Sequence, residues 1–130
     1  MSASFVYDSG ALIALDDPRN RRALLDHRAR LARSDNVIVP AVVAAQVVRD
    51  PARQARLMNV LRACDLVPFD RRHYLPVGRL LAQSGTSDVV DALVALTAAR
   101  VPGSAVVTSD ADDIRRLLDV LRAEVPLVEP

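Results

Sequence analysis

The chain has 130 residues, one domain's worth, enough to bury roughly two thirds of its unfolded surface. Its 17 basic residues are all arginine and nearly balance 16 acidic ones, so a net charge of +1 compels no nucleic-acid partner and lysine chemistry is excluded. It is 51% hydrophobic but only 3% aromatic, and Cys64 stands alone, which rules out a disulfide framework or a cysteine-held zinc and leaves the core to Val, Leu, Ile and Ala.

The first residues show no basic segment followed by an apolar one, and no apolar run reaches membrane-span length, so the expectation is a cytoplasmic protein with no membrane partner. Residues 5–7 (Phe-Val-Tyr) form a short apolar run that ends in Asp8-Ser9-Gly10 and leads into residues 11–15, which reads as strand, tight turn and helix. After Pro18, residues 20–32 set Ala23, Leu24, Leu31 and Ala32 among arginines and predict an amphipathic helix. Residues 37–39 predict a buried strand stopped by Pro40. Residues 42–48 continue as a helix that is apolar nearly all round, so it is either buried or meets another chain. Pro51 suits a first helical turn and opens a helix through Ala63.

A weak strand over 66–69 is burdened by Pro68, and residues 71–83 are helical. Gly85-Thr86-Ser87 signals a helix over 88–100, residues 105–108 a strand, Ser109-Asp110 a helix ending near Arg122, and Leu127-Val128 an edge strand. Strands alternate with helices or helix pairs from end to end. That pattern predicts an α/β fold, a mostly parallel sheet covered by helices on both faces, in a single domain over residues 1–130.

Parallel sheets bind ligands beyond the carboxyl ends of their strands. Asp8 ends the first strand, Asp110 follows the strand at 105–108, and Asp88 and Asp91 lie three apart on one helix. Gathered at one edge, these carboxylates repel each other unless a cation neutralises them, and hard oxygen ligands select Mg²⁺ or Mn²⁺. The competing reading is helix capping: Asp88, Asp110, Asp112 and Asp113 all stand at helix starts, where acids favour the dipole. Asp8 and Asp91 resist it better, because both sit in apolar company.

Residues 6–14 (Val-Tyr-Asp-Ser-Gly-Ala-Leu-Ile-Ala) resemble the first motif of PIN-domain nucleases, above all the VapC-type toxins of toxin–antitoxin pairs. Residues 86–93 resemble the third motif of that family and residues 107–110 the fourth, in the same order and spacing, so that the likeness runs from Phe5 to Val128. It implies a three-layer α/β/α sandwich around a five-stranded sheet and Mg²⁺-dependent endoribonuclease chemistry. It further implies Asp8, Asp91 and Asp110 as metal-site acids with Asp88 as an additional one, a homodimer, and a small antitoxin whose C-terminal segment covers the site. One departure is plain. The second motif of the family carries a Glu where this chain has Gln46, which offers a carbonyl oxygen but no charge, and the expectation is weaker metal binding.

Arg49, Arg53 and Arg56 recur at helical spacing and are expected to form one stripe that holds an RNA backbone, the competing reading being a solvated face. Ser9, Thr108 and Ser109 lie beside the acids and are expected to orient water or phosphate, or to cap turns. Two Tyr and two Phe are too few for broad base stacking. Two alternatives keep the same fold. One is a catalytically weakened or silent RNA- or protein-binding module, which Gln46 favours. The other is a metal-dependent nuclease acting on structured DNA. A receiver domain is excluded for want of lysine, and a dinucleotide-binding domain for want of a G-x-G-x-x-G turn.

Overall fold

The structure, a computed structural model, describes residues 3–130. Apolar, β-branched runs form five strands: β1 (Ser4–Tyr7), β2 (Asn36–Pro40), β3 (Asp65–Val67), β4 (Ser104–Val107) and β5 (Leu127–Val128). They pair in the order β3-β2-β1-β4-β5, every pair parallel. The chain leaves β1 towards β2 on one side and later returns to β4 on the other. The carboxyl ends of β1 and β4 therefore flank the switch point where such sheets open a crevice. The β1–β4 register aligns Tyr7 with Val107, which puts Asp8 beside Thr108.

Helices α1 (Ser9–Asp16), α2 (Arg21–Ala32), α3 (Ala41–Val47) and α4 (Ala55–Arg62) pack together as one layer. Helices α5 (Tyr74–Ser84), α6 (Val89–Arg100) and α7 (Ala111–Val120) form the other. The result is the expected three-layer α/β/α sandwich. Helix α6 is its central strut: five consecutive residues, Ala92 to Leu96, are buried, because it packs on β1, β2 and β4 and is flanked by α5 and α7. A stripe-less apolar helix needs such all-round cover. Among the described residues, no helix is long and apolar enough to cross a membrane.

Several boundaries differ from the sequence pattern, for identifiable reasons. The helix expected from Pro51 to Ala63 is broken: Pro51–Arg53 is a 3₁₀ turn, and α4 starts only after Gln54. The Gln54 side chain accepts from the Arg49 and Asp50 amides at 2.8 and 3.0 Å and donates to Val47 O and Asp16 Oδ2, both at 3.0 Å. One amide thus binds the end of α3 to the end of α1, and the helix yields to it. Strand β3 stops at Val67, ahead of Pro68, which cannot donate to the ladder. Helix α5 begins at Tyr74, after a turn in which Arg72 clamps Asp70. Helix α3 is half-covered: Val43, Ala44 and Val47 are buried while Ala45 and Gln46 face solvent.

Candidate metal centre

Asp8 caps α1 with Oδ1, which accepts from the Ala11 amide at 3.1 Å, and its Oδ2 accepts from the Thr108 hydroxyl. Thr108 is 1% exposed, and the same hydroxyl oxygen accepts from the Asp110 amide at 2.8 Å. A single buried hydroxyl therefore sets Asp8 and Asp110, from opposite ends of the sequence, in fixed relation. Thr108 was expected to meet water or substrate. Its hydroxyl donates to Asp8 and accepts from the Asp110 amide, which matches the other expectation, turn capping, and fixes the acids relative to each other. Glycine is required at position 10 because the start of α1 passes against the β4–α7 turn. A Cβ there would lie 2.9 Å from Ser109 Cβ and 3.2 Å from its amide nitrogen.

Asp88 is the N-cap of α6 and accepts from the Asp91 amide at 3.0 Å, so its capping role is real, while its exposed second oxygen stays available. Asp110 occupies the N-cap position of α7 but makes no side-chain capping bond there. Its carboxylate is committed elsewhere: one oxygen each from Asp91, Asp110 and Asp113 lie within 4.8 Å of one another. Asp113 was read only as a helix-start acid. The packing of α6 against α7 turns it towards Asp91 instead, and this approach of two helices leaves no trace in local sequence.

The electrostatics record the crowding. Burial, then the charges of Asp88, Asp110, Asp113 and Asp8, push Asp91 up to about 6. Asp8 is 4% exposed, and burial raises its pKa against the lowering effect of its hydrogen bonds from Thr108, Ala11 and Gly10. The open cleft beside these acids, about 270 Å³, is walled by Thr86, Ser87, Asp88, Asp91, Asp113 and Leu117. An all-carboxylate donor set around one point suits a hard divalent cation, and a cation there removes the repulsion that raises Asp91.

The remaining expected residues fall outside this cluster or at its margin. Ser9 is half-buried at the start of α1, and Ser109 is exposed beside Gly10. Gln46 is solvent-facing on α3 and is not among the clustered acids. The arginines expected to form a stripe across the helix pair around Pro51 sit on separate pieces of chain: Arg49 follows α3, Arg53 ends the 3₁₀ turn and Arg56 lies in α4. Arg49 caps the end of α3 through Ala45 O and Val48 O, both at 2.9 Å, and Arg53 pairs with Asp50 at 3.5 Å on the surface. Cys64 has no part in the chemistry: burial pushes its thiol up to about 12.

The fold has known counterparts. VapBC2 from Rickettsia felis, solved bound to a DNA fragment from their promoter, aligns with a TM-score of 0.71 at 15% identity over 98% of each chain. PAE2754 from Pyrobaculum aerophilum aligns with a TM-score of 0.61 at 17% identity, over 94% of this chain and 99% of its own. A sequence search among curated proteins finds no significant match. A family profile, the PIN domain, matches residues 5–118, a span that begins in β1 and takes in Asp8, Asp91, Asp110 and Asp113. The chain belongs to the PIN-domain family, whose members are in general nucleases.

Proposed function

We propose that this protein is a Mg²⁺-dependent endoribonuclease, with Mn²⁺ as the alternative ion, acting as the toxin of a toxin–antitoxin pair in the cytoplasm. One observation carries the reading: Asp91 at the start of α6 meets Asp110 and Asp113 at the start of α7, at the switch point of the sheet, where burial and then the charges of the neighbouring acids lift Asp91 to about 6. A protein with only a structural need for these residues gains nothing from holding them together unneutralised.

Asp91, Asp110 and Asp113 are the ligands we assign, with Asp8 behind them and Asp88 at the rim. When bound, the cation polarises a phosphoryl oxygen and lowers the pKa of a water for in-line attack. Asp8, held by the Thr108 hydroxyl and by the Ala11 and Gly10 amides, keeps acceptor capacity to spare and serves to orient the attacking water. Ser9 and Ser109, at the two chain turns beside it, offer hydroxyls to the scissile phosphate, and Arg53, paired on the surface with Asp50, offers its remaining N–H groups to the strand beyond. Asp113 restores the negative charge missing at Gln46, which favours an active enzyme over a silent module.

The partners follow from the same reading. The likeness to VapBC2 and the first-motif likeness to VapC-type toxins support a cognate antitoxin and a homodimer. Exposed Phe69, Tyr74 and Leu75, clustered about the start of α5, offer an apolar surface for a second chain. Purified protein is tested on a mixed RNA pool and on duplex and single-stranded DNA, with Mg²⁺, with EDTA, and as Asp91→Asn. RNA cleavage confined to the Mg²⁺ wild-type tube is expected. Equal cleavage in all RNA tubes removes the hypothesis, and cleavage of DNA alone moves the assignment to a DNA nuclease.

A further inference from the structure

On the far side of β1 from the acids lies a buried histidine that the proposed chemistry does not use. His27, on α2, is 2% exposed, and its Nδ1 lies 2.8 Å from the Tyr7 hydroxyl oxygen. That oxygen also accepts from Arg30 Nη1 at 3.0 Å. A guanidinium has only donors, and no other acceptor among the described residues stands on the Tyr7 hydroxyl, so its proton is satisfied only by bridging to Nδ1. Burial, with Arg30 and Arg28 nearby, holds the pKa of His27 below its ordinary value and keeps the ring neutral. The neutral ring then carries its proton on Nε2. This buried N–H has no hydrogen-bond partner among the described residues, and such orphans in native proteins call for an explanation.

The same residue lines an open cleft of about 360 Å³ between α2 and α4, together with Arg28, Arg56 and Asn59 on an apolar floor that includes Leu24 and Val60. No carboxylate lines it. The nearby Asp26 pairs with Arg22 at 3.7 Å. Arg56 spends one N–H on Asp17 O at 3.5 Å, and Asn59 accepts from Arg62 on Oδ1 at 3.2 Å, which leaves its NH₂ unused. Two guanidiniums and an amide NH₂ line one opening, and the His27 ring lines it too, with its Nε2–H buried; the complement of this donor-only set is an oxyanion.

We propose that the α2–α4 cleft is a phosphate-type oxyanion site, with His27 Nε2, Arg28, Arg56 and Asn59 as its donors. It is a binding site separate from the acidic edge, and it stands whether or not that edge hydrolyses RNA. Free inorganic phosphate and the phosphodiester of an RNA strand present the same oxygens, so both serve as probes.

The full chain, ¹⁵N-labelled and kept in EDTA, is titrated with inorganic phosphate and separately with a short oligouridylate, and read on the His27 Nε2–H resonance. A saturable shift is expected. Affinity falls at least about tenfold in Arg56→Met and in the exposed-site variant Asn59→Leu, each verified as folded by circular dichroism. A tighter response to the oligonucleotide identifies a nucleic-acid strand as the natural source, and a response to phosphate alone identifies a free anion; both support the site. No saturable response to either probe up to roughly 50 mM, well above a millimolar affinity, overturns the proposal and leaves Nε2–H to a water molecule. A response of undiminished strength in both variants overturns it as well.

Discussion

Tyr7 and Asp8 are consecutive, both buried at the end of β1, and they anchor polar clusters of opposite character. Around Tyr7 the charges are neutralised by geometry: Arg30 lies over the Phe5 ring at 4.6 Å, donates to the Tyr7 hydroxyl, and is itself 7% exposed. Cation–π contact and a hydrogen bond stand in for a carboxylate, and the cluster holds α2 to the sheet. Around Asp8 the charges are alike, and no cation among the described residues pairs with them. Burial of polar groups is common to both regions; unrelieved repulsion belongs only to the second. The difference separates a polar cluster that stabilises the fold from one that is maintained at the expense of stability.

That contrast can be broken at several points. The largest expected effect is Asp113→Asn, which should lower Mg²⁺-dependent cleavage by about 100-fold while leaving the metal-free melting temperature equal or higher. Lost stability with retained cleavage would assign Asp113 to the fold instead. Gly10→Ala forces the α1 start away from Ser109 and should cost about 1–3 kcal/mol in urea unfolding, with activity falling in step. Tyr7→Phe strips Arg30 and His27 of their shared partner. It should cost about 1–3 kcal/mol with cleavage within about twofold of wild type at a temperature where both are folded. A large loss of activity there would erase the distinction between the two clusters.

The smallest effect is the pH response of the metal-free protein. Asp91 is raised in the fold to about 6 from an unfolded value near 3.9. A raised pKa contributes stability that is fully present below about pH 4 and is lost as pH climbs through about 6. Because Asp91 is only half-buried, the loss is on the order of 1 kcal/mol rather than the full two-unit value. Comparing wild type with Asp91→Asn between pH 4 and 7.5 isolates it, and parallel stability profiles would show that the crowding has no energetic weight.

Much of this was legible before any coordinates. The apolar runs, the alternation of strand and helix, and the placement of Asp8, Asp91 and Asp110 at element ends all follow from residue order. The helix break at Gln54 was hidden because the amide that enforces it reaches Asp16, 38 positions away. The metal-ligand reading of Asp113 was hidden for a similar reason: at the start of α7 it looks like any acid favouring a helix dipole, and only α6 gives it company. Thr108 was noticed beside the acids, as a contact for water or phosphate or as a turn cap, but its bond to Asp8 was hidden, since a hydroxyl shared between two distant chain segments has no local signature. Non-local side-chain bonds, rather than local propensity, account for each of these differences.

The hydroxyl that joins Asp8 to the amide of Asp110 spans a sequence separation of 100 residues to reach the first of them. A nascent chain emerging N-terminus first therefore exposes Asp8 with only the nearby backbone amides of α1 to hold it, long before Thr108 exists. Only when β4 has docked beside β1 and α7 has packed on α6 is the acidic edge assembled, with little more than β5 still to follow. Synthesis thus keeps the centre unbuilt until translation is almost finished, a delay imposed by strand order alone.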